Sequence, residues 1–445
     1  MFLGAGIGGL SVPAFLRAPV LATGVGESTS DTAVIQYWLN GAASHFETYD
    51  PKPYAPAEVR GPFDPIATNV PGLQICETLP MHARMMDKVT VIRSVHHDNS
   101  DHQHGMHWCQ TGFDAKANGI NPFNKSSHPS SGSVTALMRG PVRPGLPPYV
   151  LIGYPLDNQG KHRFYPHRAA DLGVRYNPLE ILKDRTGDGK DPGKDQDFHV
   201  HSLAPIAELT RDDLIHRRSL LAQFDEIGGR RAEGKTGSWD HFHRAAFDLI
   251  TGDRAGAAFD LEKVDAKTRA RYGHNRSGQT ALMARQLVEA GVTFVTVIDP
   301  GVGLSSSGWD LHTKLEWGMK TACPRMDQAV TTLIEDLYER GLKKKVLVVV
   351  WGEFGRTPTI NKDGGRDHWA GVQSVMLAGG DYRHGQVIGS STPKGEVPKD
   401  RPLWPYDVVA TIYHHLGIDA RFTPETAAGR SKPLLEKGDV IRELL

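Results

Sequence analysis

Histidine and carboxylate side chains are concentrated in a few short segments of this chain. The sequence has 445 residues and 21 histidines, and five of the histidines lie between residues 96 and 107. Imidazole is the commonest metal ligand in proteins. Together with carboxylate it suits zinc, manganese or iron, whereas an all-oxygen site suits calcium or magnesium. A single histidine is usually structural, so it is the clustering that indicates metal chemistry.

Each of these segments follows a short apolar run that is typical of a buried strand. The runs are Val34–Leu39, Val89–Val95, Tyr149–Ile152, Val292–Ile298, Val346–Val350 and Ser374–Leu377. They are rich in β-branched residues and apolar on both faces, as in a parallel sheet covered on each side. Amphipathic helices are predicted over Ser277–Ala290, Pro324–Arg340 and Asp407–Leu416. This alternation predicts an α/β fold with a mostly parallel central sheet flanked by helices.

The polar groups lie where such a sheet would bind a ligand, beyond the carboxyl ends of its strands. The segment after Val89–Val95 contributes His102, His104 and His107. Later segments contribute Asp310, His312, Glu353, Asp367 and His368. On an irregular loop the first three imidazoles can converge, so we expect a metal site at this edge. Polar loops also collect at strand ends in proteins that bind no metal, and that alternative stays open.

The composition is that of an ordinary globular protein. Lys and Arg number 51 and Asp and Glu number 51, so the formal net charge is zero. No basic excess is present to neutralise phosphates, which argues against a nucleic-acid partner. Cys76, Cys109 and Cys323 are too few and too irregularly spaced for a disulfide framework. Either one disulfide or three buried thiols fits this count.

The first 26 residues resemble a secretory signal. A Gly-rich apolar run from Phe2 to Leu16 precedes Arg17 and is too short to cross a membrane. We therefore expect an exported, periplasmic or extracellular protein without a transmembrane segment. Residues 27–445 are expected to form one domain, with a polar insertion over 155–276 whose helices, around Thr210–Ile227 and Trp239–Thr251, have no strands between them. Residues 184–195 are spaced like a calcium loop, but their composition favours a solvated charged loop.

Several motifs carry a resemblance to a known family. They are SHFETYDPKP from residue 44, HDNSDHQHGMHWCQTG from residue 97, GWDLH from residue 308, WGEFGRTPTIN from residue 351, GRDHW from residue 365 and DVVATIYHHLGID from residue 407. Over nearly the whole chain the sequence resembles an uncharacterised family of exported bacterial sulfatase-like proteins in the alkaline phosphatase superfamily. The resemblance implies an alkaline-phosphatase-like sheet with one or two metal ions at its carboxyl edge.

The resemblance also implies roles for particular residues. Asp310 and His312 stand where an Asp and His ligand pair is expected, Glu353 stands where a ligand Asp is usual, and His368 takes the place of the last His ligand. A nucleophile is expected at the start of a helix that ends in Thr-Gly. In this chain that position falls near His102, and the nearest hydroxyl belongs to Ser100.

Two further positions depart from the superfamily pattern. Asn40 and Phe354 stand where a ligand Asp and a ligand His are usual, so retained catalysis is an open question.

These observations predict a metal-dependent hydrolase of sulfate or phosphate esters, acting on a small molecule or a glycan. A divalent metal, zinc, manganese or calcium, is expected to be held by some of His102, His104, His107, Asp310, His312, Glu353 and His368. Arg356 or Arg366 is expected to stabilise the oxyanion by bidentate contact. Asp367 is expected to act as a general base or to support a ligand, and Ser100 is a candidate catalytic hydroxyl.

Two alternatives accompany this prediction. The first is a degenerate superfamily member that binds a glycan or a protein without catalysis, and the altered ligand positions favour it. The second is a mutase or transferase, which lacks support because no hydroxyl stands where the intermediate would form. Substrate, metal identity and oligomeric state are left open by the sequence.

Overall fold

The computed structural model describes residues 31–116, 126, 128–140, 143, 145–153, 165–181, 258–302, 308–424 and 433–445. The predicted signal-like segment at 1–26, residues 182–257 of the predicted insertion, and the calcium-like stretch at 184–195 lie outside the described residues. Among the described residues, no helix is both long enough and apolar enough to cross a membrane.

The strands are short and most of those in the centre are fully buried. In chain order they are β1 (Ala33–Leu39), β2 (Pro65–Ala67), β3 (Gln74–Cys76), β4 (Val89–Val95), β5 (Tyr149–Ile152), β6 (Leu179–Ile181), β7 (Phe294–Asp299), β8 (Val346–Trp351), β9 (Gly355–Arg356), β10 (His368–Trp369), β11 (Gln373–Gly379), β12 (Gln386–Ile388), β13 (Ser390–Ser391) and β14 (Pro398–Asp400).

Eight of these strands form the central sheet, in the order β12-β4-β11-β8-β1-β7-β5-β6. Every neighbouring pair is parallel except those of β11, which runs antiparallel to β4 and to β8. The mostly parallel α/β fold predicted from the sequence is therefore confirmed. All six predicted strands are present, and the antiparallel direction of the run at 374–377 is the feature that its apolar pattern did not reveal.

Helices cover both faces of the sheet. They are α1 (Ala57–Arg60), α2 (Pro80–Ala83), α3 (His102–Thr111), α4 (Ser131–Arg139), α5 (Ala266–Tyr272), α6 (Arg276–Ala290), α7 (Leu315–Glu339) and α8 (Pro405–His415). On β1, Ile35 and Tyr37 face the core that α6 and α7 cover, whereas Val34 and Trp38 face the core that α3, α4 and α8 cover. Two apolar faces on one strand explain why the strand sequence shows no alternation.

The structure corrects two expectations about elements. The helix expected from Pro324 begins at Leu315 instead, because the buried side chains of Met319 and Ala322 extend its apolar face through the proline. The predicted insertion at 155–276 contains β6, a three-residue edge strand paired with β5, and its two predicted helices lie outside the described residues. Residues 102–111 form α3, the helix ending in Thr-Gly that the resemblance implies, and not the irregular loop on which the three imidazoles could converge. All three cysteines are buried free thiols, so the alternative without a disulfide applies.

Candidate metal centre

Three imidazoles surround one carboxylate at the carboxyl edge of the sheet. Asp310 Oδ2 lies 3.0 Å from His102 Nε2, and its Oδ1 lies 3.1 Å from His368 Nε2. His312 Nε2 is 3.0 Å from the same Oδ1 and 2.9 Å from His368 Nε2. We call these four residues the His–Asp cluster. The ligand atoms of His102, Asp310 and His368 all lie within 4.8 Å of one another, close enough to share one ion.

The second ring nitrogen of each imidazole in the cluster is held by an acceptor. His102 Nδ1 lies 2.7 Å from Glu353 Oε1, and His312 Nδ1 lies 2.7 Å from Asp367 Oδ1. His368 Nδ1 lies 2.8 Å from the Ser100 carbonyl oxygen. A neutral imidazole that donates through Nδ1 keeps its Nε2 lone pair free. Metal-binding histidines are held by this pairing with a carboxylate or a backbone carbonyl, so the arrangement fits a metal centre.

Helix α3 places His102 in the cluster as its first residue. Asp101 caps the helix, because its Oδ1 accepts the N–H groups of Gln103 and His104 at 3.0 Å and 3.2 Å. Gly105 lets the helix approach β8 closely, since a Cβ at this position would lie only 2.7 Å from the Glu353 carbonyl oxygen. The motif that contains the histidines therefore also contains the residues that start the helix and bring it close.

A buried arginine joins the cluster to the loop that follows β1. Arg356 Nη2 donates to Asp310 Oδ1 at 2.6 Å, and its Nε donates to the Ala42 carbonyl at 2.8 Å. Further N–H groups reach the carbonyls of Gly41 and Arg366. The backbone next to Asp310 is anchored as well, because the neighbouring Trp309 donates through Nε1 to Asp299 at 2.8 Å.

The hairpin of β9 and β10 positions His368, which pairs with Arg356 across the two strands. Gly365 precedes this hairpin strand and touches the backbone of His312, where a Cβ would lie 2.1 Å from the carbonyl oxygen. His312 and His368 therefore meet because a glycine allows their two segments to touch. Phe354 packs against the rings of both His102 and His368, with centroids 5.2 Å and 4.7 Å away.

Arg366, predicted to contact the substrate, is fully buried away from the cluster. Its Nε and Nη2 donate to Glu47 at 3.0 Å and 2.6 Å, and Nη2 also donates to the Val59 carbonyl. The remaining donor, Nη1, bonds the carbonyls of Thr357 and Pro358. Every donor of this guanidinium is thus bonded within the protein. The partner Glu47 was not singled out from the sequence, although the motif that contains it was.

His104 and His107 are not brought to the cluster. His104 Nδ1 lies 2.9 Å from Asp101 Oδ1, and the buried His107 Nδ1 lies 2.8 Å from the Phe113 carbonyl. Because residues 102–111 are helical, side chains two and five positions after His102 point to other faces of the helix. The expected convergence of the three imidazoles required an irregular loop.

Ser100, Glu353 and Asp367 surround the cluster without joining it. The exposed Ser100 accepts His368 through its carbonyl, and its Oγ accepts the Ala370 N–H at 2.9 Å. Glu353 is buried, and its Oε1 also accepts the Gly41 N–H at 2.9 Å. Its other oxygen, Oε2, has no hydrogen-bond partner among the described residues. Asp367 is exposed and also accepts Asn361 Nδ2 at 3.2 Å.

Opposite charges in the cluster stabilise one another. Burial alone would raise the pKa of Asp310, but the hydrogen bonds from His102 and His368 and the charge of Arg356 hold it well below its usual range. Burial alone would lower the pKa of His102, but Asp310 and Glu353 outweigh it and raise the pKa to about 9. A hydrogen bond from His312 lowers the pKa of Asp367. The centre is therefore built on ionised carboxylates.

The fold and the site together define an α/β protein with a His–Asp centre, able to hold a metal, at the carboxyl edge of its sheet. The chain belongs to the family described as Protein of unknown function (DUF1501), whose model matches residues 31–445. No curated protein matches the sequence significantly.

Solved structures similar to this chain include a 2-O GAG sulfatase, with 8% identity, a TM-score of 0.38, and coverage of 92% of this chain and 73% of that one. A phosphonate monoester hydrolase from Silicibacter pomeroyi has 13% identity, a TM-score of 0.38, and coverage of 90% and 75%. A protein in the alkaline phosphatase superfamily from Vibrio parahaemolyticus has 10% identity, a TM-score of 0.36, and coverage of 87% and 67%.

Proposed function

We propose that this protein is a metal-dependent hydrolase of phosphate or sulfate esters. One observation carries the proposal: three imidazoles turn Nε2 toward Asp310 while each Nδ1 is held by its own acceptor. Histidines that only stabilise a fold need not point to a common position, whereas histidines that bind one metal ion must. The sequence resemblance described above favours ester hydrolysis as the chemistry of such a centre.

The donor set favours zinc or manganese over calcium. His102, His312 and His368 offer three nitrogens and Asp310 offers carboxylate oxygen, a mixture that suits zinc and manganese. Calcium takes six to eight oxygen ligands and finds too few here. We assign the four ligand positions to the His–Asp cluster. Glu353 and Asp367, both expected as candidate site residues, become the groups that orient His102 and His312.

A divalent metal bound here would polarise an ester oxygen and make a bound water more acidic. The protein's own residues supply the geometry. Arg356 holds Asp310 in place rather than contacting the substrate, and Arg366 is fully engaged with Glu47 and backbone carbonyls. Asp367 has a lowered pKa, which makes it a weak proton acceptor near neutrality and suits it to orienting His312.

We propose that water, rather than a side chain, attacks the ester. The first residue of α3 is His102, where the resemblance implies a hydroxyl or thiol nucleophile. Cys109 lies on the same helix but is fully buried, and burial raises the pKa of its thiol well above the usual value. Ser100 accepts the Ala370 N–H and presents its carbonyl to His368, a contact that fixes the hairpin beside the cluster.

The test combines metal analysis with a set of esters. Purified protein is assayed for zinc and manganese. It is then assayed, before and after chelation, for cleavage of the p-nitrophenyl esters of phosphate, phenylphosphonate and sulfate. We expect about one equivalent of metal per cluster and turnover that chelation removes and metal restores. His312→Ala and His368→Ala are expected to lose both metal and turnover, whereas the control His414→Ala, an exposed histidine on α8, keeps both. Protein without metal, or turnover unaffected by chelation, would refute the proposal.

A second candidate is a metal-containing protein that binds an ester group or glycan without cleaving it. The histidine at the start of α3 favours this candidate, because no hydroxyl or thiol takes its place in the His–Asp cluster. It predicts stoichiometric metal, measurable binding of inorganic phosphate or sulfate, and no turnover of any ester. We also propose that the chain is exported, on the basis of its apolar start, and cell fractionation tests this directly.

A further inference from the structure

A group of aromatic rings forms where the segment after β4 meets α3 and the start of α8. Trp404 and Tyr406 are stacked, with centroids 5.7 Å apart and planes 11° from parallel. The His96 ring lies 4.4 Å from that of Trp404, and the Trp108 ring lies 5.6 Å from it. We call these four residues the aromatic patch. No step of the proposed hydrolysis uses them.

The patch is open to solvent and its polar atoms are not used by the fold. His96, Trp404 and Tyr406 are only half-buried. Among the described residues, none hydrogen-bonds Trp404 Nε1, the Tyr406 hydroxyl or the His96 ring nitrogens. The Nε1 of Trp108 is buried and also lacks a partner in this part of the chain. Buried polar atoms are normally hydrogen-bonded, so this unpaired N–H group on a ring next to Trp404 is a donor without a use in the fold.

A carboxylate completes this surface. Asp98 is exposed, and its charge acts on both His96 and Tyr406. Burial raises the pKa of Tyr406 to about 12, with smaller contributions from the charges of Asp407 and Asp98. Asp407 itself is occupied, because it accepts the backbone N–H groups of Trp404 and Asp439. Within the part of the chain that the structure describes, no hydrogen bond uses the Asp98 carboxylate, so it is available as an acceptor and gives the surface a negative charge.

Stacked aromatic faces with free N–H, O–H and carboxylate groups match the chemistry of a sugar ring. A pyranose has an apolar C–H face that packs on an aromatic ring and hydroxyls that need both donors and acceptors. We propose that the aromatic patch with Asp98 is a subsite for an uncharged sugar ring. The negative charge of Asp98 repels sulfate and phosphate groups, so the ring bound here does not itself bear the ester.

The subsite adjoins the His–Asp cluster. His97, next to the patch, donates its backbone N–H to the Ala370 carbonyl at 3.0 Å, two residues beyond His368. His102 is four positions after Asp98, so their Cα atoms are at most roughly 15 Å apart. A short oligosaccharide spans this length. The subsite thus names the substrate class of the proposed hydrolase, a glycan ester, and in that respect it rests on the proposed function.

The test measures binding of neutral hexasaccharides of glucose, mannose, galactose and N-acetylglucosamine by calorimetry and tryptophan fluorescence. Binding is measured on the full chain, with metal and after chelation. We expect at least one sugar to bind, with Trp404→Ala weakening binding about tenfold or more, as expected for loss of an aromatic stacking partner. Trp404→Phe is expected to keep most of the affinity, and Asp98→Asn to lose a few-fold. The matched control is Trp317→Ala, which removes a 56% exposed tryptophan on α7.

Each possible outcome tests either the subsite or the hydrolase. Absence of binding by all four sugars, or equal effects of Trp404→Ala and Trp317→Ala, overturns the subsite. If p-nitrophenol displaces a bound sugar as effectively as another sugar does, the subsite is also overturned, since the surface would then be a general aryl site. Sugar binding that survives chelation without any ester turnover supports the subsite and refutes the hydrolase. Ester turnover without sugar binding supports the hydrolase and refutes the subsite. Asp98→Asn changes an exposed residue, so it still tests the subsite if Trp404→Ala fails to fold.

Discussion

Replacing Asp367 with alanine removes the carboxylate that accepts His312 Nδ1 at 2.7 Å. The His312 side chain is 41% exposed and that of Asp367 is 53% exposed, so solvent can replace the lost acceptor. An exposed pair of this kind contributes only about 0–1 kcal/mol to folding. The fold therefore survives the change, and its effect on the metal centre can be measured separately.

Loss of an acceptor behind a ligand histidine usually reduces metal affinity about tenfold to a hundredfold, or about 1.4–2.8 kcal/mol. Because water can reach His312, we expect Asp367→Ala to lie near the tenfold end. Asp367→Asn is expected to lose less, since the amide oxygen can still accept the Nδ1 proton while the negative charge is gone. Asp363→Ala, an exposed carboxylate on the same loop, is the matched control.

The assay is zinc competition against a chromophoric chelator, with urea denaturation of each variant in parallel. The order of zinc affinity is expected to be wild type and Asp363→Ala, then Asp367→Asn, then Asp367→Ala, with unfolding free energies close together. An Asp367→Ala affinity within twofold of wild type would refute the assignment of His312 as a ligand oriented by this carboxylate. A large loss of stability would refute the view that Asp367 serves the centre rather than the fold.

Three further outcomes follow from the contacts around the cluster. Glu353→Ala is expected to lower zinc affinity about tenfold to a hundredfold by the same competition assay, because it removes the acceptor that holds His102 Nδ1, and unchanged affinity would contradict that role. Gly105→Ala adds a Cβ 2.7 Å from the Glu353 carbonyl, so we expect a net loss of about 1–3 kcal/mol in urea denaturation despite the better helix propensity of alanine, and a stabilised variant would show that α3 can shift. Burial lowers the pKa of His45, His97 and His415 to about 4 in the folded protein. Because the unfolded chain binds these protons near pH 6.5, their contribution is complete above that pH and is lost as pH falls toward 4, at about 1.4 kcal/mol per pH unit for each proton. Equal urea midpoints at pH 7 and pH 5 would contradict this.

The sequence predicted the sheet well because buried parallel strands have a local signature. Runs such as Val89–Val95 and Val346–Val350 are apolar on both faces, and the structure places both in the central sheet. Position in the segments that follow the predicted strands at 292–298 and 346–350 was enough to nominate Asp310 and His368 as neighbours. A topological rule that depends only on strand direction therefore pointed to the sheet edge where the structure brings these two residues together.

The same reasoning could not predict roles within the site. Glu353 and Asp367 have the residue type of ligands, yet they lie behind His102 and His312 and accept their Nδ1 protons. Arg366 has the residue type of an oxyanion donor, yet it is fully buried against Glu47. Whether a polar side chain faces the centre or its support depends on backbone positions that are 55, 251 and 319 residues apart in these three pairs, and local spacing does not specify their arrangement.

The sequence by itself determined the fold class, the edge that holds the candidate centre and the residue types available there, since these depend on local patterning and strand direction. Only the tertiary structure decided which ring nitrogens meet. It made residues 102–111 a helix, so that His104 and His107 point elsewhere, and it used Gly105 and Gly365 to bring three distant segments into contact. A hydrogen bond between distant side chains requires both backbones to be in place, and that placement is a property of the packed core.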